Sequence, residues 1–241
     1  MANLFDLSGK IAVVTGASSG LGAGAAVAYA EYGADVALLA RRSDKLLVTA
    51  EKIEAFGRKA LPVTCDIAKE KSVAEAIRKI VNHFGRIDIL LNNAGIALSG
   101  TVEEITLADW DKIVGTNMTG MYLVSKYAVP VMRQGGGGKI VNTASVNAII
   151  ADKPAPLARH AYNATKSGVR GLTIGMAASY GADNITVNSI NPGLFESEMT
   201  ENTLFKIESF MQDYSAQNPM GRPGMRGELN GTILYLSSAA S

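Results

Sequence analysis

Short runs of aliphatic and β-branched residues alternate along this chain with longer stretches in which apolar positions recur every three or four residues. The short runs predict strands at 10–14, 35–40, 60–64, 87–91, 139–142 and 184–190, and the longer stretches predict helices at 20–32, 44–56, 70–84, 106–133 and 162–180. That alternation is the pattern of an α/β domain, a doubly wound and mostly parallel sheet flanked by helices. Right-handed crossovers bring every strand C-terminus to one edge, where such sheets bind their ligands. Thr106 and Asp109 are spaced as a capping pair at the start of the fourth helix.

No internal repeat or linker divides the chain, so residues 1–241 are expected to form a single domain. Residues 192–220 mix proline, glycine and scattered apolar positions with weak periodicity, which predicts a mobile flap over the ligand edge. The four glycines at 135–138 precede a strand, with no helix after them, and read as a surface connection rather than a phosphate cradle.

The charge balance of 23 basic against 22 acidic residues, with no run of one sign, argues against nucleic acid or an anionic membrane as partner. No apolar stretch approaches the roughly 18 residues of a membrane span. The first residues lack the plan of a signal peptide, so a cytoplasmic protein is expected. Cys65 is the sole cysteine and His83 and His160 are the sole histidines, which excludes an internal disulfide and a Cys/His zinc site; no metal is expected.

The turn Thr15-Gly16-Ala17-Ser18-Ser19-Gly20-Leu21-Gly22 lies between the first strand and the first helix. Glycines there let a pyrophosphate approach the backbone at a helix N-terminus, where N–H groups favour anions. NAD-binding sheets carry an acidic residue at the end of the second strand for the ribose 2′-hydroxyl. Here that strand is followed by Arg41 and Arg42, so the site is expected to prefer NADPH over NADH, with Arg41, nearer the strand end, gripping the 2′-phosphate.

Tyr162 and Lys166 stand one helical turn apart, so an ammonium can lie beside the phenol and favour its charged form. Lowering a tyrosine from near ~10 to about 7 requires roughly 4 kcal/mol of differential stabilisation. Tyr122 and Lys126 repeat the spacing, but they fall within a long helical segment and read as packing. Tyr162 instead follows the run Lys139-Ile140-Val141-Asn142-Thr143-Ala144-Ser145, a strand delivering small hydroxyl residues to the ligand edge.

From about residue 7 to its last residue the chain resembles the short-chain dehydrogenases/reductases. The resemblance rests on the glycine turn, Cys65-Asp66-Ile67, Asn92-Asn93-Ala94-Gly95, Asn117, Ser145, Tyr162 with Lys166, and Asn191-Pro192-Gly193, all in order. It implies a Rossmann-type domain that binds NADP(H) and interconverts a ketone and a secondary alcohol. Tyr162 would be the general acid/base, and Lys166 would lower its pKa and hold the nicotinamide ribose. Ser145 would bond the substrate oxygen, and Asn117 would hold a water linking Lys166 to solvent. Asp66 and Ile67 would border the adenine, while Asn93, Ala94 and Gly95 would support the sheet and the adenosine ribose. Pro192, Gly193 and the backbone of Phe195 would form the nicotinamide rest, and Ser197 keeps a hydroxyl that could reach a phosphate. The alternative is a nucleotide-binding scaffold or redox sensor without turnover.

Two departures bear on substrate and assembly. The interval from Ser145 to Tyr162 is about four residues longer than the family usually shows, and its Lys153, Arg159 and His160 could meet an anionic substrate. The residues at 191–200 are similar to those of polyol, sugar-acid and 3-oxoacyl reductases alike. The family's usual seventh strand is missing at the C-terminus, which bears on the homotetramer that the resemblance implies.

Overall fold

The computed structural model describes residues 3–151, 157–201 and 203–241. Its strands are β1 (Ile11–Thr15), β2 (Asp35–Ala40), β3 (Ala60–Thr64), β4 (Ile89–Asn92), β5 (Gly138–Thr143) and β6 (Ile185–Ile190). They form one parallel sheet in the order 3-2-1-4-5-6. Its α-helices are α1 (Gly20–Glu31), α2 (Ser43–Glu54), α3 (Glu70–Phe84), α4 (Leu107–Val114), α5 (Gly120–Gln134), α6 (His160–Tyr180), α7 (Glu198–Glu201), α8 (Glu208–Gln217) and α9 (Asn230–Ser237).

Alternation along each strand builds two cores. Ala12, Val14, Leu38, Leu91 and Val141 face one side of the sheet, where α1, α2 and α9 cover them with Ala26, Tyr29, Leu46, Ile53 and Ile233. Val13, Leu39, Leu90 and Ile140 face the other side, under Ile77, Ile80, Val124, Ala128 and Met176 of α3, α5 and α6. Tyr29 is fully buried and pairs with Ser237 of α9 at 2.8 Å, which ties the last helix to the first.

The helix expected over 106–133 is divided. Thr106 caps α4 as its spacing implies, accepting the Asp109 amide at 3.1 Å. The helix then widens into a π turn over Gly115–Thr119 before α5 begins. Apolar period alone does not register such a turn, because the core positions on either side keep their spacing. The flap region also holds more structure than its weak periodicity suggests, with α7, a 3₁₀ turn and α8 in sequence. The glycines at 135–138 close a turn into β5; Gly137 has φ +130°, and a side chain there would strike the carbonyl of Asn184.

A row of buried amides and hydroxyls joins the two middle strands to their covering helices. Asn92 Nδ2 of β4 donates to Asn142 Oδ1 of β5 and to Ser125 Oγ of α5, each at 3.0 Å, and Asn142 Nδ2 donates to Thr173 Oγ1 of α6 at 3.0 Å. Removing the central member takes one buried acceptor from Asn92 Nδ2 and one buried donor from Thr173 Oγ1, leaving each with a single partner, Ser125 Oγ and the Val169 carbonyl. Asn142→Ala should therefore cost about 2–4 kcal/mol of stability, read as a lower urea midpoint with an unchanged slope.

Candidate active site

A crevice of about 440 Å³ opens along the C-terminal edge of the sheet. Its walls take in every predicted site residue except Gly22 and Asn117, which support it from behind. The sheet order explains the position. Going outward from β1, the chain runs through β2 on one side and β4 on the other, so the loops after β1 and β4 diverge and leave a gap.

The turn after β1 meets the requirements of a pyrophosphate site. Gly16 and Gly20 have φ of +69° and +58°, values that side chains resist. A Cβ on Gly16 would come within 2.9 Å of Ala94 Cα, and one on Gly22 would strike Asn93 Nδ2 and the Gly16 carbonyl. α1 starts at Gly20 with no side-chain cap and no acidic residue in its first turn, which leaves its opening N–H groups to an anion. These residues fit the diphosphate of a dinucleotide. Thr15, which sequence reasoning passed over, locks the two walls: its Oγ1 accepts the amides of Asn93 at 2.9 Å and Ala94 at 3.0 Å. A hydroxyl directly before the glycine turn was the available signal.

At the end of β2, Arg41 and Arg42 both line the crevice, but they differ in engagement. Arg41 makes no hydrogen bond or ion pair with any other described residue, whereas Arg42 donates to Ser19 Oγ at 2.9 Å, to Ser18 Oγ at 3.2 Å and to both oxygens of Glu198 at 2.7 and 2.8 Å. Glu198 is a second residue the sequence reading missed. Next to them Asp66 and Ile67 follow β3, and the Asp66 amide donates to Ser72 Oγ at 3.1 Å.

On the opposite side Tyr162 and Lys166 lie in the first turns of α6, facing the end of β5. Lys166 is buried, its Nζ donating to the Thr143 carbonyl at 2.8 Å and lying 5.6 Å from the centre of the Tyr162 ring. Burial brings its ammonium down to about 8. Tyr162 departs from the sequence expectation: burial raises its phenol above the ordinary value, outweighing the Ser145 hydrogen bond and the field of Arg159, both of which act to lower it. In the protein alone desolvation therefore governs this phenol, and Lys166 is not among the groups pulling it down.

Ser145 caps the short turn at the end of β5, accepting the Asn147 amide at 3.2 Å. Asn117 is fully buried in the π turn. Its Oδ1 accepts the Ile96 amide at 2.8 Å, and its Nδ2 donates to the Ile96 carbonyl at 2.9 Å and to Thr165 Oγ1 at 3.2 Å. Three of its four hydrogen-bonding positions thus clamp the loop after β4 to α6.

Pro192, Gly193, Phe195 and Ser197 close the crevice from the segment after β6. The Leu194 carbonyl accepts the Gly224 amide at 2.9 Å, and the Gly224 carbonyl accepts the Glu196 amide at 3.0 Å, a short bridge to the approach of α9. A side chain on Gly20 would meet Ser197 Cβ at 3.3 Å, so the segment lies directly on the glycine turn.

The remaining candidates do not join the site. Tyr122 is exposed, and Lys126 pairs with Glu70 at 2.6 Å, on the outer surface of α5. His160 Nδ1 accepts the Val102 amide at 3.0 Å and so fixes the loop before α4. Lys153 lies outside the described residues. No helix among the described residues is long and apolar enough to cross a membrane.

A parallel doubly wound sheet with a glycine turn, a buried lysine beside a half-buried tyrosine and a strand-end serine defines a nucleotide-dependent oxidoreductase of the short-chain type. Residues 10–206 match the short chain dehydrogenase family, and the chain belongs to it. It is similar to gluconate 5-dehydrogenase of Gluconobacter oxydans (strain 621H), 39% identical over 241 residues, covering 99% of this chain and 91% of that protein. It is likewise similar to 2-dehydro-3-deoxy-D-gluconate 5-dehydrogenase of Escherichia coli (strain K12), 36% identical over 238 residues, covering 98% and 91%. Among solved structures, it superimposes with a TM-score of 0.92 and 34% identity on a gluconate 5-dehydrogenase from Burkholderia cenocepacia J2315 in complex with NADP and tartrate, over 99% of this chain and 91% of that one. The chain is an NAD(P)-dependent oxidoreductase acting on CH–OH donors.

The depressed ammonium of Lys166 has a thermodynamic signature. Between about pH 8 and the ordinary lysine value near 10.5, the unfolded chain binds a proton that the folded chain has released, so this residue makes stability rise with pH across that window. Urea unfolding of the parent and of Lys166→Met at about pH 7 and about pH 9.5 should show the parent gaining on the variant as pH increases. A difference independent of pH would contradict the burial assigned to the ammonium.

Proposed function

We propose that the protein is an NADP(H)-dependent oxidoreductase that interconverts the keto and hydroxy forms of a sugar acid. The observation that carries this reading is the convergence of Ser145, Tyr162 and Lys166 on the crevice that begins at the glycine turn. The substrate class is drawn from the gluconate and 2-dehydro-3-deoxy-D-gluconate dehydrogenases that the chain resembles, and the positive field of Arg159 at Tyr162 suits an anionic substrate.

The bound nicotinamide would supply hydride exchange with the carbinol carbon. Tyr162 holds its proton at neutral pH, since burial favours the neutral phenol, and so serves as the acid that protonates the reduced oxygen. Ser145 donates a second hydrogen bond to that oxygen. Lys166, fixed on the Thr143 carbonyl with its Nζ 5.6 Å from the centre of the Tyr162 ring, would support negative charge on the phenol once the nucleotide is bound, a contribution it does not make in the protein alone. Asn117 acts as a positioning residue by holding Ile96 and Thr165 in register.

For the nucleotide, Gly16, Ser18, Ser19, Gly20, Leu21 and Gly22 would hold the pyrophosphate. Asp66 and Ile67 would border the adenine, Asn93, Ala94 and Gly95 the ribose, and Arg41 with Arg42 the 2′-phosphate. Pro192, Gly193 and the backbone of Phe195 would form the nicotinamide rest, and the Ser197 hydroxyl would reach a phosphate. A cytoplasmic homotetramer completes the reading. Leu107, Trp110, Tyr122 and Ile174 leave apolar surface on α4, α5 and α6 that subunit contact would cover.

Tyr162→Phe should lower turnover of gluconate with NADP+ by about 10³-fold while its NADPH dissociation constant stays within about twofold of the parent. Turnover at the parent rate would overturn the mechanism. Arg41→Ala should reduce the preference for NADP+ over NAD+ by about tenfold, measured by titration calorimetry. An unchanged ratio would remove Arg41 from the phosphate site.

A further inference from the structure

The ion pair between Arg42 and Glu198 joins two parts of the chain that the nucleotide must separate or share. Arg42 stands at the end of β2, with Ser18 and Ser19 of the glycine turn on its guanidinium. Glu198 opens α7, one residue beyond Ser197, and both oxygens of its carboxylate accept from Arg42. All five residues, Ser18, Ser19, Arg42, Ser197 and Glu198, line the same crevice. The far side of the segment is held differently, by the backbone bridge at Leu194, Glu196 and Gly224 and by the pairing of Glu201 with Arg226. The pair with Arg42 is thus the charged contact that holds the segment to the glycine turn, while the backbone bridge and a second ion pair secure it to the approach of α9.

We propose that Glu198 is a specificity-determining residue: its carboxylate occupies on Arg42 the place a 2′-phosphate would take, so that binding of NADP(H) exchanges one anion for another and frees the start of the flap. The proposal rests on the NADP(H) reading given above. The geometry is that of a bidentate carboxylate on a guanidinium fork, the same donor arrangement that grips a phosphate. The pair is charged at all ordinary pH values, because the Arg42 hydrogen bonds hold the Glu198 carboxyl at about 2. It is also displaceable. The two side chains are 44% and 45% exposed, and an ion pair so open to solvent is weak enough for a dianion to replace. NAD(H), with a hydroxyl in place of the phosphate, has no charge with which to compete, so the carboxylate acts on the two nucleotides unequally.

The test uses the whole protein and reads binding rather than turnover. Glu198→Gln keeps the shape of the side chain and removes its charge. It should tighten binding of NADP+ and of adenosine 2′,5′-bisphosphate by about three- to fivefold and leave NAD+ within about twofold. Without any nucleotide, amide hydrogen exchange at 197–201 should be faster in the variant than in the parent, since the latch is gone. An NADP+ dissociation constant equal to the parent's, or exchange at 197–201 as slow as the parent's, would overturn the proposal. Failure of the cofactor reading looks different: replacing Arg41 and Arg42 together with alanine would then leave the ratio of NADP+ to NAD+ affinity untouched.

Discussion

One hydroxyl oxygen holds the molecule together where its chain order reverses. Thr15 ends β1, and its Oγ1 accepts the two successive amides that follow β4, those of Asn93 and Ala94. β1 and β4 are neighbours in the sheet, yet they are separated in sequence by three crossovers, through α1, α2 and α3, and the loops beyond them part company at this point. The crevice exists because the loops diverge, and its floor is firm because Thr15 stops them from diverging further. Gly16 then passes so close to Ala94 that any side chain would force the walls apart. A parallel sheet supplies the gap, and a single side chain sets its width.

The opposite end of the crevice depends on buried polar groups that only other buried groups can satisfy. Asn92, Asn142, Ser125 and Thr173 form one such row between strands and helices, and Asn117 with Thr165 forms another nearby. Apolar packing tolerates sliding by fractions of an ångström, whereas a donor out of water demands its acceptor at bonding distance. These rows therefore fix the rotation of α6 against the sheet, and with it the placement of Tyr162 and Lys166. Lys166 is the extreme case, an ammonium buried against one carbonyl at the end of β5. Its environment suppresses its own charge and that of the phenol beside it, so both groups stand closer to neutrality than either would in water.

How much of this was legible in the chain varies with the kind of signal. The central strands were readable because β1, β2 and β4 are buried almost throughout and hence nearly continuously apolar; β2 and β3 match their expected bounds, and the others shift at their ends, where hydrogen bonding rather than hydropathy decides. β4 begins at Ile89 rather than 87, with Asp88 turning its carboxylate onto the Ile11 amide at 2.9 Å. Glycine spacing located the turn after β1, because a conformation that excludes side chains leaves a compositional trace. Tyr122 and Lys126 show what spacing cannot do: they reproduce the i, i+4 relation of Tyr162 and Lys166 on a surface that faces Glu70. Contacts between distant segments were the least readable. Arg42 engages a carboxylate 156 positions later, and nothing local at either residue announces the partner.

The π turn at Gly115–Thr119 has a consequence for how this fold tolerates length changes. An α-helix advances about 100° per residue, so a widened turn acts as one surplus residue accommodated without changing the helix direction. Losing a single position there would let 107–134 run as an uninterrupted α-helix, its downstream face still in phase with the sheet. Leu123, Val124 and Ala128 would stay against the sheet, whereas Asn117, inside the turn, would leave the loop it clasps. The surplus residue therefore serves the clasp made by Asn117 and not the packing of α5, and deleting it would harm the crevice while sparing the core.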